Sequence, residues 1–386
     1  MILKRPARLA DIAGIGVDRM GALADLLGRD FLRLENLDTD IPPEPEAIVR
    51  TRLSVVRDDA NSYLPFVGQD NLREAVVRHV SSLSGVEYEK ENVIICAGGL
   101  SGILNVLLAT IEVGDEVIVT DPTYAGLINR IRLAGGTPVF TPLLFNPGKP
   151  WALDRRALTE QVSPRTRALL LMSPSMPSGM TFDEGDWRTI CDLCVKLDLL
   201  LILDSAMERL LFDRRTLLHP AGMPGMAERT IIIGAASKEL RMIGWRVGWI
   251  VAPKALIPDL TAVSLANVVV PVGIAQDATA MALDLSRGTL PEYVGELERR
   301  RDTVARALSG FPFGMPGGGW SLLLRVSDFA MDGAEMAARL FKHDVCATPM
   351  AGWGGQQAGQ YIRFVYANEP VHRLKNLQSR IYAALE

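Results

Sequence analysis

The stretch IIIGAASKELRMIGWRVGWIV, residues 231–251, decides how the rest of the chain is interpreted. It begins with three β-branched residues, which are typical of a buried strand. Lys238 follows this run, and Arg246 stands eight residues later between two glycines. A lone lysine is usually solvated, but a lysine at the end of a central strand is partly desolvated. Such an amine loses its proton more easily and can form a Schiff base with an aldehyde. The stretch predicts a catalytic lysine and an arginine that binds phosphate.

Outward from this stretch, short apolar runs alternate with helical patterns between about residues 50 and 265. The runs are apolar on consecutive residues, as in strands that helices cover on both faces. The pattern predicts an α/β fold with a large, mostly parallel, seven-stranded sheet, whose strands contain residues 93–95, 117–119, 139–140, 169–171, 199–203, 231–233 and 247–251. Sheets of this kind bind ligands at the carboxyl ends of their strands.

The sequence changes character near residue 290, where one long, charged, amphipathic helix is predicted over residues 290–308. The turn cluster PGGG at residues 316–319 follows it. We predict a small α+β domain after this point, with strands at 321–326 and 361–365, a helix near 333–341 and a closing helix over 370–384. The expected division is an N-terminal segment that belongs to the small domain (1–48), a large domain (49–288) and a small C-terminal domain with its linking helix (289–386).

The composition narrows the class of protein. The 386 residues carry 41 Lys and Arg against 45 Asp and Glu, a formal charge of −4. This near-neutral balance argues against a nucleic-acid or membrane-surface partner. No apolar run approaches the roughly 18 residues that span a bilayer, and Asp11 and Asp18 interrupt the N-terminus, so we expect a cytoplasmic protein.

Cys191 and Cys194 fall on an apolar helical stripe and are predicted to lie in the core. Four scattered histidines give no candidate zinc site.

Taken together, the strand, Lys238 and Arg246 resemble the pyridoxal-phosphate enzymes of the class I/II aminotransferase family, which have the aspartate aminotransferase fold, called fold type I. The resemblance covers nearly the whole chain. It implies that Lys238 forms the internal aldimine with pyridoxal 5'-phosphate and moves the proton at the substrate Cα, and that Arg246 binds the cofactor phosphate. The implied reaction transfers the amino group of an α-amino acid to a 2-oxo acid through a pyridoxamine intermediate.

Other segments follow the family's order. By resemblance, Tyr63 in SYLPFVG (62–68) reaches the phosphate of a neighbouring subunit, which implies a homodimer with shared active sites. Gly98, Gly99 and Leu100 lie at a strand-to-helix junction, where backbone amides bind phosphate. The family often has a hydroxyl or amide side chain at the place of Leu100, which offers only its backbone amide.

The resemblance also implies roles for three side chains at strand ends and for one in the N-terminal segment. Tyr124 in DPTY stacks on the pyridine ring, and Asp204 pairs with the protonated pyridine nitrogen, so that the ring can take up electrons. Arg363, in QYIRFV, binds the substrate α-carboxylate. Asn36 sits where the family's N-terminal segment passes over the substrate.

The chain departs from the family's pattern at three further positions. Met176 replaces the asparagine, and Met207 replaces the tyrosine, that usually donate hydrogen bonds to the cofactor's phenolic oxygen. A thioether donates no hydrogen bond, so the acid–base behaviour of the bound cofactor is expected to shift. We hypothesise that Ser178, Ser205 or Asn36 compensates. Ala235 stands where a phosphate-binding serine is common, and Ser237 is the expected substitute.

These departures leave alternatives open, because one scaffold supports several reactions. Transamination is the first interpretation. An amino-acid lyase or oxidase is the second, and a binding or regulatory module of aminotransferase origin is the third. Residues 261–276, which by resemblance border the neighbour's site, contain no arginine. Since a second arginine often binds a distal carboxylate in the family, its absence favours a neutral or aromatic amino donor.

Overall fold

The computed structural model describes residues 6, 9–12, 14 and 17–386. In these parts of the chain the α-helices are α1 (Val17–Leu27), α2 (Pro45–Val55), α3 (Asp70–Ser84), α4 (Gly99–Thr110), α5 (Ala125–Leu133), α6 (Arg155–Gln161), α7 (Glu184–Leu197), α8 (Ile257–Asn267), α9 (Gly273–Ala307), α10 (Gly333–Lys342), α11 (Val371–Leu374) and α12 (Leu377–Leu385). The strands are β1 (Leu32–Arg33), β2 (Val93–Cys96), β3 (Glu116–Asp121), β4 (Thr137–Leu144), β5 (Ala152–Leu153), β6 (Thr166–Met172), β7 (Leu200–Asp204), β8 (Thr230–Ala235), β9 (Gly248–Val251), β10 (Ser321–Arg325), β11 (Val345–Cys346), β12 (Thr348–Pro349) and β13 (Tyr361–Val365).

The largest sheet has the strand order β2-β9-β8-β7-β6-β3-β4-β5. Neighbours from β8 to β4 pair in parallel, whereas β9 is antiparallel to both of its neighbours and β5 is antiparallel to β4. All seven predicted runs form strands, which confirms the α/β fold with a mostly parallel sheet. The eighth strand, β5, was not predicted, because a two-residue edge strand leaves no periodic signal in the sequence.

The central strands are apolar on consecutive residues because both faces of the sheet are covered. Ile231 and Ile233 pack into one apolar cluster with residues of α4. Ile232 points the other way and packs with residues of α3 and α9. This alternation is the two-residue period of a strand, with each face meeting a helical layer. The end of β8 is thereby fixed, and with it the start of the segment that carries Lys238.

The C-terminal part of the chain forms a second sheet in the order β10-β13-β12, with antiparallel pairing. The N-terminal segment is attached to this part, since β1 pairs in parallel with β11. The predicted closing helix is divided into α11 and α12.

The prediction of a helix over 290–308 was wrong about the residue at which the helix begins. The helix α9 begins at Gly273 and passes through Pro291 without ending. Its first half is rich in buried alanine and packs against α2 and α3. The charge near residue 290 therefore marks the point where the helix becomes more polar. The expected domain boundary at residue 288 lies inside this helix, so the division into two domains stays a prediction.

Cys191 and Cys194 are buried in α7, which confirms that they belong to the core. Across the described ranges, no helix is both long and apolar enough to cross a membrane. The same residues contain no cluster of three or more His, Cys, Asp or Glu side chains suited to a metal ion.

Candidate active site

A cavity of about 250 Å³ opens at the carboxyl edge of the large sheet. The last residues of three adjacent strands line it: Met172 of β6, Asp204 of β7 and Ala235 of β8. This is the position at which parallel sheets bind ligands. The cavity brings together these predicted site residues: Gly99, Leu100, Tyr124, Asp204, Ser237, Lys238 and Arg246.

Lys238 lies three residues beyond the end of β8, with its amino group in the cavity. Its Nζ donates a hydrogen bond to the carbonyl oxygen of Leu37 (3.3 Å) and lies 3.9 Å from the centre of the Trp320 ring. Removal from bulk water lowers the pKa of Lys238 to about 7, even though the carboxylates of Asp38 and Asp204 act against this shift. A substantial fraction of this lysine is therefore a free amine at neutral pH.

Asp204 is the last residue of β7 and is buried. Its Oδ1 accepts a hydrogen bond from the backbone amide of Ala206 (3.1 Å). Burial raises the pKa of Asp204 to about 6, while the Ala206 amide and the charge of Lys238 lower it. The carboxylate is thus largely ionised at neutral pH in a place with little solvent. A buried charge of this kind is stabilised by a cationic partner.

Glycines bring backbone amides close to Arg246. Gly98 has φ +89°, and a Cβ on it would lie 2.5 Å from Nη2 of Arg246. A Cβ on Gly248 would lie 2.8 Å from the amide nitrogen of Gly99. The positive φ favours glycine at position 98, and the close backbone atoms require it at position 248. The result is the amino end of α4 beside a guanidinium group, and Nη1 of Arg246 is held by the carbonyl of Ile243 (2.9 Å). Amides at a helix start together with an arginine form an anion site.

Arg363 lies on β13 and is buried. Its Nη2 donates hydrogen bonds to the Glu35 carbonyl (3.0 Å) and to Oγ1 of Thr348 (2.9 Å), and its guanidinium lies 4.3 Å from the Trp353 ring centre. Its Nε and Nη1 are buried without a hydrogen-bond partner among the described residues. Burial lowers the pKa of Arg363 to about 9. Two free donors on a buried cation are a ready site for a carboxylate.

Tyr124 precedes α5 and lines the cavity. Its ring centre lies 5.3 Å from that of Trp353, and the carbonyl of Trp353 accepts a hydrogen bond from the Thr123 amide (2.8 Å). Burial raises the pKa of Tyr124. Through Trp353, the loop after β12 connects the Tyr124 ring to the Arg363 guanidinium.

Several predicted residues lie elsewhere. Leu37 lines the cavity in place of its neighbour Asn36. The Ser178 hydroxyl accepts from the Met180 amide (3.2 Å), and the Ser205 hydroxyl donates to the Ile233 carbonyl (3.1 Å). Neither serine lines the cavity, so neither is placed to compensate for the missing donors. Tyr63 is 85% exposed and lies outside this cavity.

Three methionines form an apolar wall of the cavity, and one of them, Met172, pairs with Asp204 in the sheet. Met172, Met176 and Met207 line the cavity and are all buried. The Met172 sulfur accepts a hydrogen bond from the Met176 amide (3.3 Å). This wall offers thioethers and no side-chain hydrogen-bond donor.

A charged pair joins the segment that follows β7 to the segment that follows β8. The Glu239 carboxylate, next to Lys238 in the chain, accepts hydrogen bonds from the backbone amide and the Nε of Arg209 (2.7 and 2.6 Å). Arg209 follows Asp204 by five residues. Sequence reasoning missed this pair, as it missed Leu37, Trp320 and Trp353, because their contacts join segments far apart in the chain. For the two tryptophans the sequence did offer a signal, since Trp320 and Trp353 each stand next to glycines.

Comparison with known proteins gives a consistent result. The model of the family described as aminotransferase class I and II matches residues 36–381. A probable N-succinyldiaminopimelate aminotransferase of Mycobacterium tuberculosis is 32% identical over 97% of this chain and 98% of its own. Kynurenine–oxoglutarate transaminase 3 of Mus musculus is 32% identical over 78% of this chain and 70% of its own.

A solved structure supports the same grouping. The N-succinyldiaminopimelate aminotransferase of Mycobacterium tuberculosis superposes with a TM-score of 0.91 and 29% identity, covering 99% of this chain and all of its own.

Proposed function

This chain belongs to the aminotransferase class I and II family, and from that premise we propose which residues bind its cofactor and substrate and which amino acids it accepts. The protein is an enzyme that transfers amino groups between amino acids and oxo acids, with pyridoxal phosphate as cofactor. The predicted family, fold, reaction class and cofactor are confirmed. The residue roles, the substrate class and the assembly that follow are proposals.

The site fits pyridoxal phosphate. The phosphate would be held by Arg246, by the backbone amides of Gly99 and Leu100, and by Ser237, which all line the cavity. The absence of a Cβ at Gly98 leaves the space in which the Arg246 guanidinium lies next to the start of α4. The buried carboxylate of Asp204 would pair with the pyridine nitrogen, and the Tyr124 ring would pack on the cofactor ring. When bound, the cofactor supplies a reactive aldehyde and a ring that withdraws electrons from the substrate Cα.

One observation carries the proposed mechanism: the Lys238 amine and the Asp204 carboxylate face the same cavity. The lowered pKa of Lys238, about 7, provides a free amine that would bind the aldehyde. Once the amino group of the substrate has displaced it, the same amine would carry a proton from the substrate Cα to the cofactor. The pKa of Asp204, about 6, leaves a negative charge at neutral pH that would stabilise the protonated pyridine nitrogen of the cofactor.

We assign the substrate carboxylate to Arg363. Its free Nε and Nη1 donors would offer charge-assisted hydrogen bonds to the carboxylate of an α-amino acid and so orient it. The Glu35 carbonyl and the Thr348 hydroxyl hold the guanidinium in place through Nη2. The substrate would then be fixed before proton transfer, which raises its effective concentration at Lys238.

We further propose a neutral donor with an apolar or aromatic side chain. The charged residues that line the cavity, Asp204, Lys238 and Arg246, are assigned to cofactor binding and proton transfer. Leu37, Ile243 and the methionine wall supply the remaining apolar surface. The described lining residues include no second arginine for a distal carboxylate.

Single-turnover kinetics test this proposal. Purified enzyme loaded with pyridoxal phosphate is mixed with leucine, phenylalanine, aspartate or glutamate, without an oxo-acid acceptor. We expect one oxo acid per active site, and leucine or phenylalanine to react at least about tenfold faster than aspartate because a desolvated distal carboxylate lacks a partner. Fastest reaction with aspartate would refute the donor class. Continuous release of ammonia or uptake of oxygen would favour the lyase or oxidase.

We propose that two copies of the chain share their active sites, which would place Tyr63 at the neighbour's phosphate. Exposed apolar side chains near Tyr63 in the chain support an interface: Leu53, Val56 and Phe66. Phe66 lines a groove together with the exposed side chain of Val269. A group of exposed apolar side chains is expected where another subunit covers the surface.

Hybrid dimers test the sharing directly. Chains carrying Tyr63→Ala are mixed with chains carrying Lys238→Ala under conditions of subunit exchange. A hybrid would contain one intact site, so about a quarter of wild-type activity should return if exchange is random. Light scattering reports the mass in parallel. No recovery despite proven exchange would show that Tyr63 does not serve the neighbour's site.

For location we propose the cytoplasm. The support is that Cys96, Cys191, Cys194 and Cys346 are all free thiols, as is usual in a reducing compartment. Fractionation of the producing cells tests this, and recovery of the protein outside the cytoplasmic fraction would refute it.

A further inference from the structure

Trp320 contacts the amino group of Lys238, yet the assignments above give it no role. Its ring centre lies 3.9 Å from Nζ, and Nζ also donates to the Leu37 carbonyl oxygen (3.3 Å). The face of an indole ring is negative and attracts an ammonium group more strongly than other aromatic rings do. The amino group is therefore held between the N-terminal segment and the start of β10.

The backbone around Trp320 is fixed by three separate segments. The Gly319 amide donates to the Leu210 carbonyl (2.9 Å), and the Trp320 carbonyl accepts from the Tyr366 amide (3.0 Å). The Ser321 hydroxyl donates to the Pro177 carbonyl (2.8 Å). The side chain of Trp320 is 1% exposed. A side chain anchored in this way is a rigid surface for a flexible lysine.

The glycine run at residues 316–319 explains how Trp320 reaches this place. A Cβ on Gly318 would collide with the Leu210 carbonyl oxygen and would lie 2.6 Å from Cγ of Pro174. Gly319 has φ +82°, a conformation that favours glycine. The run lets the chain pass close to the loop after β6 and turn into β10 with the Trp320 ring facing Lys238.

We propose that Trp320 is a positioning residue that holds the amino group of Lys238, whenever this group is not bound to the cofactor, beside the Leu37 carbonyl and directed into the cavity. The proposal rests on the proposed role of Lys238. Lys238 must be a free amine when it accepts a proton from the substrate, and a long side chain without a contact would lose the required geometry. The ring also favours the charged form of the amine, opposing the effect of burial.

Other charges act on the same amine. Asp38 in the N-terminal segment and Asp204 on β7 favour the ammonium form. Arg363 on β13 and Arg246 after β8 favour the free amine. Trp320 is uncharged, so its replacement leaves all four of these side chains in place. A change in the titration of Lys238 in a Trp320 variant would then report the loss of the ring contact.

The test measures how fast the cofactor-free protein captures pyridoxal phosphate, by its visible absorbance, across a range of pH. Only the free amine reacts, so the rate for the wild type should rise through a midpoint near the pKa of Lys238, about 7. In Trp320→Leu the midpoint should fall by about 0.5 to 1.5 pH units. Trp320→Phe keeps an aromatic ring that attracts a cation less strongly than indole does, so the midpoint should fall by a smaller amount. When the Trp320 variants are loaded with pyridoxal phosphate, their kcat should fall by a larger factor than their KM changes.

Trp187→Leu is the matched control, since Trp187 is buried in α7 and does not line the cavity. It should lower stability and leave the midpoint unchanged. If Trp320→Leu fails to fold, Trp320→Phe decides the question. A wild-type midpoint in every folded Trp320 variant would overturn the proposal. Retention of the visible band in Lys238→Ala would instead overturn the role of Lys238 itself.

Discussion

The two halves of the cavity differ sharply in chemistry. One half carries Lys238, Asp204 and Arg246 at strand ends and beside the start of α4. The other half is the wall of Met172, Met176 and Met207. The charged half supplies the groups to which we assign cofactor binding and proton transfer; Asp204 is the last residue of β7, and Lys238 and Arg246 lie in the connection between β8 and β9. The methionine wall supplies apolar packing without hydrogen-bond donors. Cofactor binding and proton transfer are therefore expected to depend on the charged half. The methionine wall is expected to change only the acidity of the bound cofactor.

The largest effect is expected in the charged half at Lys238. Lys238→Ala should abolish the visible absorbance of the bound cofactor and lower turnover by on the order of 10⁴-fold or more, because both the nucleophile and the proton carrier are lost. Absorbance titration and steady-state kinetics measure these effects. Lys254→Ala, at an exposed lysine paired with Glu89, is the control and should change neither. Normal turnover in Lys238→Ala would contradict the whole assignment.

The next effect is expected at Asp204. Asp204→Asn removes the buried negative charge and should reduce kcat by about 10²- to 10³-fold, while the protein still captures the cofactor. The control is Asp186→Asn, a buried carboxylate in α7 that is paired with Arg155 outside the cavity. That variant should reduce thermal stability and leave kcat near the wild-type value. Equal kcat losses in both variants would indicate a general effect of removing buried charge.

A smaller effect is expected at Arg363, measured as KM. Arg363→Gln should raise KM about 100-fold for every α-amino acid, since two charge-assisted hydrogen bonds to the carboxylate are lost. Arg301→Gln is the matched control, because Arg301 is also buried but pairs with Asp213 away from the cavity. A KM increase limited to one amino acid would argue that Arg363 contacts the side chain of that substrate.

The smallest effect is expected in the methionine wall. Met176→Asn adds a hydrogen-bond donor, which favours the deprotonated form of an acidic group on the cofactor. The pH midpoint of the visible absorbance should fall by about 0.5 to 1 unit. Met176→Leu keeps the wall apolar and should leave the midpoint in place. An unchanged midpoint in Met176→Asn would show that the wall does not contact the titrating group.

The predictable parts of the site share one feature: each lies at the end of an element with a clear pattern. Ile231 to Ile233 locate the end of β8 and therefore Lys238. The apolar run before Asp204 does the same for β7. The helix α9 was predicted to begin too late, because its buried first half and charged second half differ in composition although the backbone is continuous. Ser178 and Ser205 were reasonable donors in sequence but form hydrogen bonds elsewhere.

The sequence by itself determined the fold class and the charged half of the site, because strand periodicity and the order of motifs are local properties of the chain. Only the tertiary structure decided that Leu37 and not Asn36 lines the cavity, that Trp320 lies on the Lys238 amine, and that Arg363 keeps two donors free. Leu37 and Trp320 lie 201 and 82 positions from Lys238 in the chain. Contacts over such separations arise from packing, which no local pattern records.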